Sequence, residues 1–319
     1  MIRFILTRGH AYTLRPVKKI RRAPAISLMN YDALIRARWL RRATYVFTDL
    51  DRLDSWSLEL AADLYLQLKN AGLTAWNNPA KVKTRYALLR ALHAAGLNDF
   101  NIHRADEAGA ARFPVFLRKT YGHREPVSGL LQSHAELQAK IETAVVEGTP
   151  LENLLVVEYA GEPIRPGLYR KLSAFRIGHA IVPHISVHDD SWLVKYGKTG
   201  IAGEELYREE LVLLQTNPFA GHLKKVFDLA QIEYGRVDFG FYQSRLQVYE
   251  INTNPALETA LRHPSPIRVQ SLKLVWENYL QALHAIDCPA SGGFVRLGDG
   301  KLKRHRAWKN LLVRSRKVP

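Results

Sequence analysis

The sequence of 319 residues contains one cysteine, Cys288, so an intrachain disulfide and a multi-cysteine metal site are both excluded. Long hydrophobic runs are also missing, because stretches such as Leu154 to Val157 fall far short of the ~20 residues that cross a bilayer. The N-terminal MIRFILTRGH lacks the ~7 to 15 consecutive apolar residues of a signal peptide. We therefore expect a cytoplasmic protein, in a compartment that keeps thiols reduced.

Apolar residues make up 47% of the chain and charged residues 24%, which is ordinary for a globular protein and argues against disorder. A chain of this length suits two or three packed subdomains, on the usual scale of about 100 to 200 residues for each domain. The composition therefore predicts a folded chain with a sizeable core.

The net charge of +16 is concentrated at the two ends of the chain. Residues 1 to 42 hold eleven Lys or Arg and one acid, and residues 301 to 319 hold eight and no acid, which leaves the body at −2. No nucleic-acid-binding motif accompanies this charge, so we expect two solvated basic ends. The alternative is contact with a polyanion or an acidic substrate.

The first part of the chain alternates strand and helix patterns. A β-rich segment spans residues 43 to 51, and helical spacing of apolar residues follows over residues 57 to 73 and again over 84 to 95. Such alternation is typical of an α/β domain. We expect this N-terminal domain to end near residue 105.

A short β, loop, α, β module follows over about 50 residues, with Ser133 as the N-cap of its helix and Glu136 three residues later. Strands dominate from residue 169, and a helix over 271 to 286 closes the body. The module is small enough to act as a lid. The predicted parts are the N-terminal domain 1–105, the lid 106–157, the C-terminal subdomain 158–287, and a linker with a basic tail 288–319.

The stretch VYEINTNPAL ends a predicted hairpin and supplies a carboxylate and two amides. A two-residue turn with regular pairing would place Asp238 opposite Tyr249. A three-residue loop, or an equivalent bulge, would place Asp238 opposite Glu250. Only this second register puts Asp238, Glu250 and Asn252 on one face, because side chains alternate along a strand. Two such close carboxylates require a cation between them, and the oxygen donors suit Mg²⁺.

The run Glu250 to Pro255, preceded by Asp238, resembles the metal-binding signature of the ATP-grasp superfamily. The resemblance extends from about residue 43 to residue 270. It implies an α/β fold of three subdomains, with ATP between the lid and the C-terminal subdomain. It also implies two Mg²⁺ ions, or Mn²⁺, bound by Asp238, Glu250 and Asn252. Arg236 would contact phosphate or substrate from the same face.

The segment FPVFLRK resembles the family's lid strand, which ends in a phosphate-binding lysine four residues after a proline. Here that position is Arg118, and Lys119 follows it. The family's second lysine, eleven residues before the glycine that ends the first domain, is replaced by Arg85, with Lys83 nearby. Arginine is a suitable replacement because its planar fork binds phosphate through two hydrogen bonds. Which member of each pair contacts ATP stays open at this point.

The segment VVEYAGE matches the family's hinge, whose backbone binds adenine, and the resemblance assigns this role to Glu158, Tyr159 and Ala160. Glu162 is a candidate for the ribose. Lys171 replaces an arginine that the family often carries two residues later. The family's flexible phosphate loop corresponds to YGHREPVSG, residues 121 to 129, where the charged side chains at 123 and 124 replace glycine amides.

These features predict an ATP-dependent ligase that joins a carboxylate to an amine or thiol through an acylphosphate, with Arg118, Lys171 and Arg236 in catalytic roles. The substrates would be small molecules or peptides. One alternative is a small-molecule kinase, and another is a non-catalytic nucleotide-binding module whose basic ends contact polyanions. Two weaker alternatives are a haloacid-dehalogenase-like pair, Asp49 and Asp51, and a transition-metal site at His184 and His188 with Asp189 and Asp190.

Overall fold

The computed structural model describes residues 1–120, 125–257, 261–287 and 293–297. The charged loop positions His123 and Arg124 lie outside these residues, as do Cys288 and the basic tail from residue 298. None of the described helices is long and apolar enough to cross a membrane.

The described strands are β1 (Ile2–Leu6), β2 (Ile26–Asn30), β3 (Trp39–Arg41), β4 (Thr44–Phe47), β5 (Ala75–Trp76), β6 (Ile102–Arg104), β7 (Val115–Lys119), β8 (Leu154–Glu158), β9 (Tyr169–Ile177), β10 (Ala180–Asp189), β11 (Tyr234–Tyr242), β12 (Arg245–Asn252) and β13 (Phe294–Arg296). The described α-helices are α1 (Arg15–Lys18), α2 (Tyr31–Arg36), α3 (Ser55–Asn70), α4 (Arg85–Ala94), α5 (His134–Val146), α6 (Glu204–Thr216), α7 (Ala220–Ala230) and α8 (Pro266–Ile286).

The N-terminal sheet is parallel and has the strand order β2-β1-β4-β5. Its inner strand β1 is mainly apolar, and Phe4 and Ile5, whose side chains point to opposite faces of the sheet, are fully buried. Parallel sheets are covered on both faces, which explains this complete burial. Residues 1 to 42 therefore supply an inner strand of the first sheet, although most of their Lys and Arg side chains are exposed, as expected of a solvated basic segment.

The lid sheet is antiparallel, with the order β6-β8-β7, and α5 packs on one side of it. Along β7, Val115 and Leu117 are buried with α5, so the alternating residues Phe116 and Arg118 face the opposite side, toward the C-terminal sheet. Strand β6 pairs with β8, although the predicted boundary at residue 105 assigns β6 to the N-terminal domain. The four domain limits stay predictions.

The C-terminal sheet is antiparallel, with the order β10-β9-β11-β12. One face packs against α4 and α7, and the other face packs against α8 and the N-terminal sheet. Helix α8 starts at Pro266, earlier than expected, because Ser265 caps it and proline fits the first helical turn. The predicted α/β class, with parallel and antiparallel sheets, is confirmed. Residues of the lid sheet, α4 and the C-terminal sheet share one hydrophobic cluster.

Candidate active site

The β11–β12 hairpin combines a two-residue turn with a bulge. Gln243 and Ser244 form the turn, and their φ values of +49° and +63° match the left-handed turns that suit tight hairpins. Tyr249 is then an extra residue in β12, and beyond it Asp238 lies opposite Glu250. The predicted register is confirmed, and the bulge, rather than a longer loop, produces it.

The bulge residue Tyr249 lies over the backbone of Gly240. A Cβ atom at position 240 would meet the ring carbon Cζ at 3.1 Å and the hydroxyl oxygen at a shorter distance, so only glycine fits there. The Tyr249 hydroxyl donates a hydrogen bond to the carbonyl oxygen of Ala160 over 3.4 Å, and burial raises the pKa of this phenol. Tyr249 therefore connects the strand with the hinge after β8.

Asp238 is buried, and its carboxylate bonds to two cations. Lys171 Nζ lies 3.2 Å from Oδ2, and Arg236 Nε donates to Oδ1 over 3.0 Å. Across the hairpin, Glu250 forms an ion pair with Arg85 from the start of α4. Asp238 and Glu250 are the two predicted carboxylate ligands. Each is therefore bonded to at least one cation that the sequence predicted to bind phosphate or to act in catalysis.

Arg118 extends from β7 toward this group. Burial lowers the pKa of its guanidinium to about 10, as does Arg85, while Glu250 raises it. The group is still charged at neutral pH. Its Nε atom is buried and has no hydrogen-bond partner among the described residues. A half-buried cation with a buried, unused donor suits an anionic ligand such as a phosphate.

The sequence left open which residue of each basic pair, Lys83 or Arg85 and Arg118 or Lys119, contacts ATP. The two members of each pair lie in different positions. Lys119 is exposed on the other face of β7 from Arg118. Lys83 Nζ donates to the carbonyl oxygen of Leu229 over 2.8 Å, so it bonds to α7. The structure thus brings Arg85 and Arg118 to the carboxylates and leaves Lys83 and Lys119 outside. The sequence signal that could have selected Arg118 was the alternation of side chains along β7. Val115 and Leu117 face one side, so Arg118 faces the other.

The carboxylate of Glu158 is buried and fully used within the protein. It accepts hydrogen bonds from the backbone and side chain of Arg112, from the amide of Asn101, and from His103 Nε2 over 3.1 Å. Burial raises the pKa of Glu158, but these hydrogen bonds outweigh it and leave the pKa below its usual value. Its own amide donates to the Asn101 carbonyl oxygen. Glu158 therefore holds the hinge against residues 101 to 112.

Aromatic rings line the cleft between the lid and the C-terminal sheet, on the side of the hinge. Trp192, from the loop after β10, lies 5.2 Å from the Phe116 ring and 5.5 Å from the Tyr159 ring, measured between centroids. The Tyr159 amide donates to the carbonyl oxygen of Pro114. Sequence reasoning did not identify this aromatic group, because its members come from three separate segments.

The remaining hinge candidates lie near the hairpin. Ala160 is buried and accepts the Tyr249 hydrogen bond, as described above. Glu162 is exposed, and its carboxylate accepts a hydrogen bond from the amide of Gln243 over 3.1 Å, at the hairpin turn. Glu162 is thus close to the strand that carries the metal-ligand candidates.

Asn254, the second amide of the motif, bonds to the N-terminal domain. Its Oδ1 accepts from the Thr13 hydroxyl over 2.7 Å, and its Nδ2 donates to Asp49 Oδ1 over 3.0 Å. Its backbone N–H donates to Asn252 Oδ1 over 2.9 Å. Asp49 also accepts two hydrogen bonds from Thr7. These bonds give Asp49 a structural role, so they oppose the dehalogenase-like alternative.

The alternative transition-metal site is also opposed by the geometry. A bulge between His184 and Val187 shifts the pairing with β9, so His184 and His188 lie on opposite faces of the sheet. His184 Nδ1 is instead 3.2 Å from the hydroxyl of Ser173.

No protein-family model and no curated protein matches the sequence. Among solved structures, the D-alanine-D-alanine ligase from Coxiella burnetii is similar over 98% of both chains, with 13% identity and a TM-score of 0.50. A RimK domain ATP-grasp protein from Sphaerobacter thermophilus DSM 20745 is 12% identical over 90% of this chain and 99% of its own, with a TM-score of 0.49. The first similarity shows the fold: the chain has the ATP-grasp fold.

Proposed function

We propose that this protein is an ATP- and Mg²⁺-dependent ligase that joins a carboxylate to an amine or thiol through an acylphosphate. The observation that carries the proposal is the pairing of Asp238 with Glu250 among four cations on one side of the cleft. These cations are Arg85, Arg118, Lys171 and Arg236.

The donors in this group fit Mg²⁺. Within the described residues no third His, Cys, Asp or Glu completes a metal-ligand cluster, and the third donor is the Asn252 amide oxygen. That oxygen accepts one hydrogen bond and keeps a second lone pair. Such an incomplete oxygen set matches Mg²⁺, which takes its other ligands from water and phosphates. Asp238, Glu250 and Asn252 would hold one or two ions, or Mn²⁺, which would neutralise charge on the transferred phosphoryl group.

The charge of the group fits a polyphosphate. Four cations and two carboxylates leave a formal surplus of +2, and the Arg118 Nε donor is unused among the described residues. When the carboxylates bind metal, Arg85, Lys171 and Arg236 would exchange their present ion pairs for phosphate oxygens. These side chains would then position the triphosphate.

In the proposed reaction, a carboxylate oxygen of the substrate attacks the γ-phosphorus of ATP. A P–O bond forms, the bond to the β-phosphate oxygen breaks, and ADP leaves with the electron pair. The nucleophile then attacks the acyl carbon, inorganic phosphate leaves, and the proton of the amine or thiol passes to solvent. Arg118, Lys171 and Arg236 would stabilise the negative charge on the phosphoryl oxygens.

For the base of ATP, we propose the hinge as the binding element. The amides of Glu158 and Tyr159 already bond within the protein, so Ala160 is the hinge amide left for adenine among the described residues. Trp192 and Phe116 would supply apolar contact to the ring. Glu162 would bind the ribose.

The test is a screen for ADP and phosphate release over pools of carboxylic acids and amines. A ligase releases phosphate together with ADP, whereas a kinase leaves the phosphoryl group on its product. With a responsive acid labelled with ¹⁸O in its carboxylate, an acylphosphate route transfers label to the released phosphate. Glu250→Gln should abolish release, and the exposed Glu147→Gln should not change it. Absence of label in the phosphate would contradict the acylphosphate.

A further inference from the structure

The segment that follows β1 carries a dense group of exposed cations, which we name the N-terminal basic surface: Arg15, Lys18, Lys19, Arg21 and Arg22. None of them has an ion-pair partner among the described residues. The first acidic residue of the sequence is Asp32, so no local carboxylate neutralises this group. Unpaired cations at this density attract anions.

This surface is held in place by the core. Leu14 and Val17 are fully buried with α8, and the carbonyl oxygen of Arg22 lies 2.8 Å from His284 Nε2 of that helix. Arg15, Lys18 and Lys19 follow the i, i+3, i+4 spacing, so they share one side of α1 and its C-cap. The cations are therefore presented on an ordered backbone, which lowers the entropy cost of binding.

One end of the surface, at Arg15, is connected through Thr13 to the candidate active site. Thr13 bonds through its hydroxyl to Asn254, and the backbone of Asn254 bonds to the metal-ligand candidate Asn252. Arg15 is two residues beyond Thr13, so their Cα atoms lie within about 7 Å of each other. Arg15 is therefore the member of the surface nearest in sequence to this contact, and a bound chain would approach the carboxylates of the hairpin from this end.

We propose that the N-terminal basic surface binds an acidic polypeptide segment, whose carboxylate group is the one activated at the Asp238–Glu250 site. This inference rests on the proposed function and names its substrate class. Charge complementarity selects a polyanion, and the proposed reaction requires a carboxylate, which a nucleic acid does not contain. Acidic side chains thus satisfy both the surface and the chemistry.

The binding test uses the full chain and two probes of equal length, poly-L-glutamate and oligouridylate, in fluorescence anisotropy at 0.15 M salt. The test variant is Arg15→Ala/Lys18→Ala/Lys19→Ala. The matched control is Arg36→Ala/Arg38→Ala/Arg42→Ala, which removes the same charge from exposed positions of the same region. The test variant should bind poly-L-glutamate roughly tenfold more weakly, and the control should change affinity by less than about twofold.

Two results of the binding test would overturn the proposal. An equal loss in both variants would assign the effect to net charge alone. Tighter binding of oligouridylate, lost selectively in the test variant, would make the surface a nucleic-acid site.

A catalytic readout separates this inference from the proposed function. With poly-L-glutamate as the acid, together with an amine pool, the test variant should raise the KM for the peptide about tenfold and keep its kcat. Its Mg·ATP affinity should equal that of the wild type. If the wild type bound no Mg·ATP, the proposed function would be wrong. The anisotropy measurement would still test whether the N-terminal basic surface binds acidic polypeptide. If it bound Mg·ATP and released no ADP with poly-L-glutamate, the substrate class would be wrong.

Discussion

Asn254 Nδ2 donates a 3.0 Å hydrogen bond to Asp49 Oδ1, and both side chains are buried. This bond joins the segment after β12 to the segment after β4 of the N-terminal sheet. The two amides of the motif therefore have different roles: Asn252 faces the carboxylates, and Asn254 fixes the neighbouring domain.

We expect Asn254→Asp to destabilise the protein by about 2 to 3 kcal/mol, because a second carboxylate would replace the donor that faces Asp49. Urea denaturation measures the loss. The double variant Asp49→Asn/Asn254→Asp restores one donor and one acceptor and should recover part of the stability. No recovery in the double variant would contradict a direct bond between these two side chains.

The bulge makes a prediction about Gly240. In Gly240→Ala the new Cβ would collide with the Tyr249 ring, so the bulge and the register of Glu250 would shift. We expect a lower Tm and weaker Mg·ATP binding. The control Gly221→Ala, in α7 with open space around it, should be neutral or stabilising by up to about 1 kcal/mol. Equal behaviour of the two variants would show that the Tyr249 contact does not matter.

Arg118 and Lys119 are adjacent in sequence and lie on opposite faces of β7. Arg118→Ala removes a half-buried cation whose Nε donor is unused among the described residues, so the dissociation constant for Mg·ATP should rise about 10- to 100-fold, the range for charge-assisted hydrogen bonds. Lys119→Ala removes an exposed cation and should change it by less than about threefold. Isothermal titration calorimetry on both variants checks this, and a larger effect for Lys119 would reverse the assignment.

His188 gives the stability a pH dependence. Burial lowers its pKa to about 4, as does Arg170, while Glu210 raises it. The unfolded chain therefore binds a proton below its ordinary pKa near 6.5, and the folded chain does so only near 4. The free energy of unfolding should fall as the pH drops from about 6.5 to 4. His188→Gln should flatten this fall in denaturation curves, and an unchanged slope would contradict a neutral buried imidazole.

The sequence predicted that Asp238 pairs with Glu250, because only this register places Asp238, Glu250 and Asn252 on one face of the hairpin, where they could bind a cation together. It left open whether a three-residue loop or a bulge produces this register, because the bulge depends on tertiary contacts of Tyr249 with a glycine on the partner strand and with the carbonyl oxygen of Ala160. Strand β1 was not predicted, because residues 1 to 42 were interpreted from their high positive charge. Within them, residues 2 to 6 form a mainly apolar strand. Its burial depends on pairing with β4, about 40 residues away.

The choice between Lys83 and Arg85 also depended on tertiary structure. Lys83 lies just before α4 and Arg85 is its first residue, and no local sequence pattern shows which of them points toward the carboxylates. Lys83 bonds to a carbonyl at the end of α7, which is distant in sequence. The carboxylate of Glu158 is likewise committed to residues 101 to 112 by folding.

The most direct test of the central claim is calorimetric titration of ATP into the wild type and into Asp238→Asn/Glu250→Gln, with and without Mg²⁺. We predict that Mg²⁺ strengthens ATP binding to the wild type and has no such effect in the double variant. The control Glu147→Gln should match the wild type. The same Mg²⁺ dependence in the wild type and the double variant would show that the metal is not held by Asp238 and Glu250.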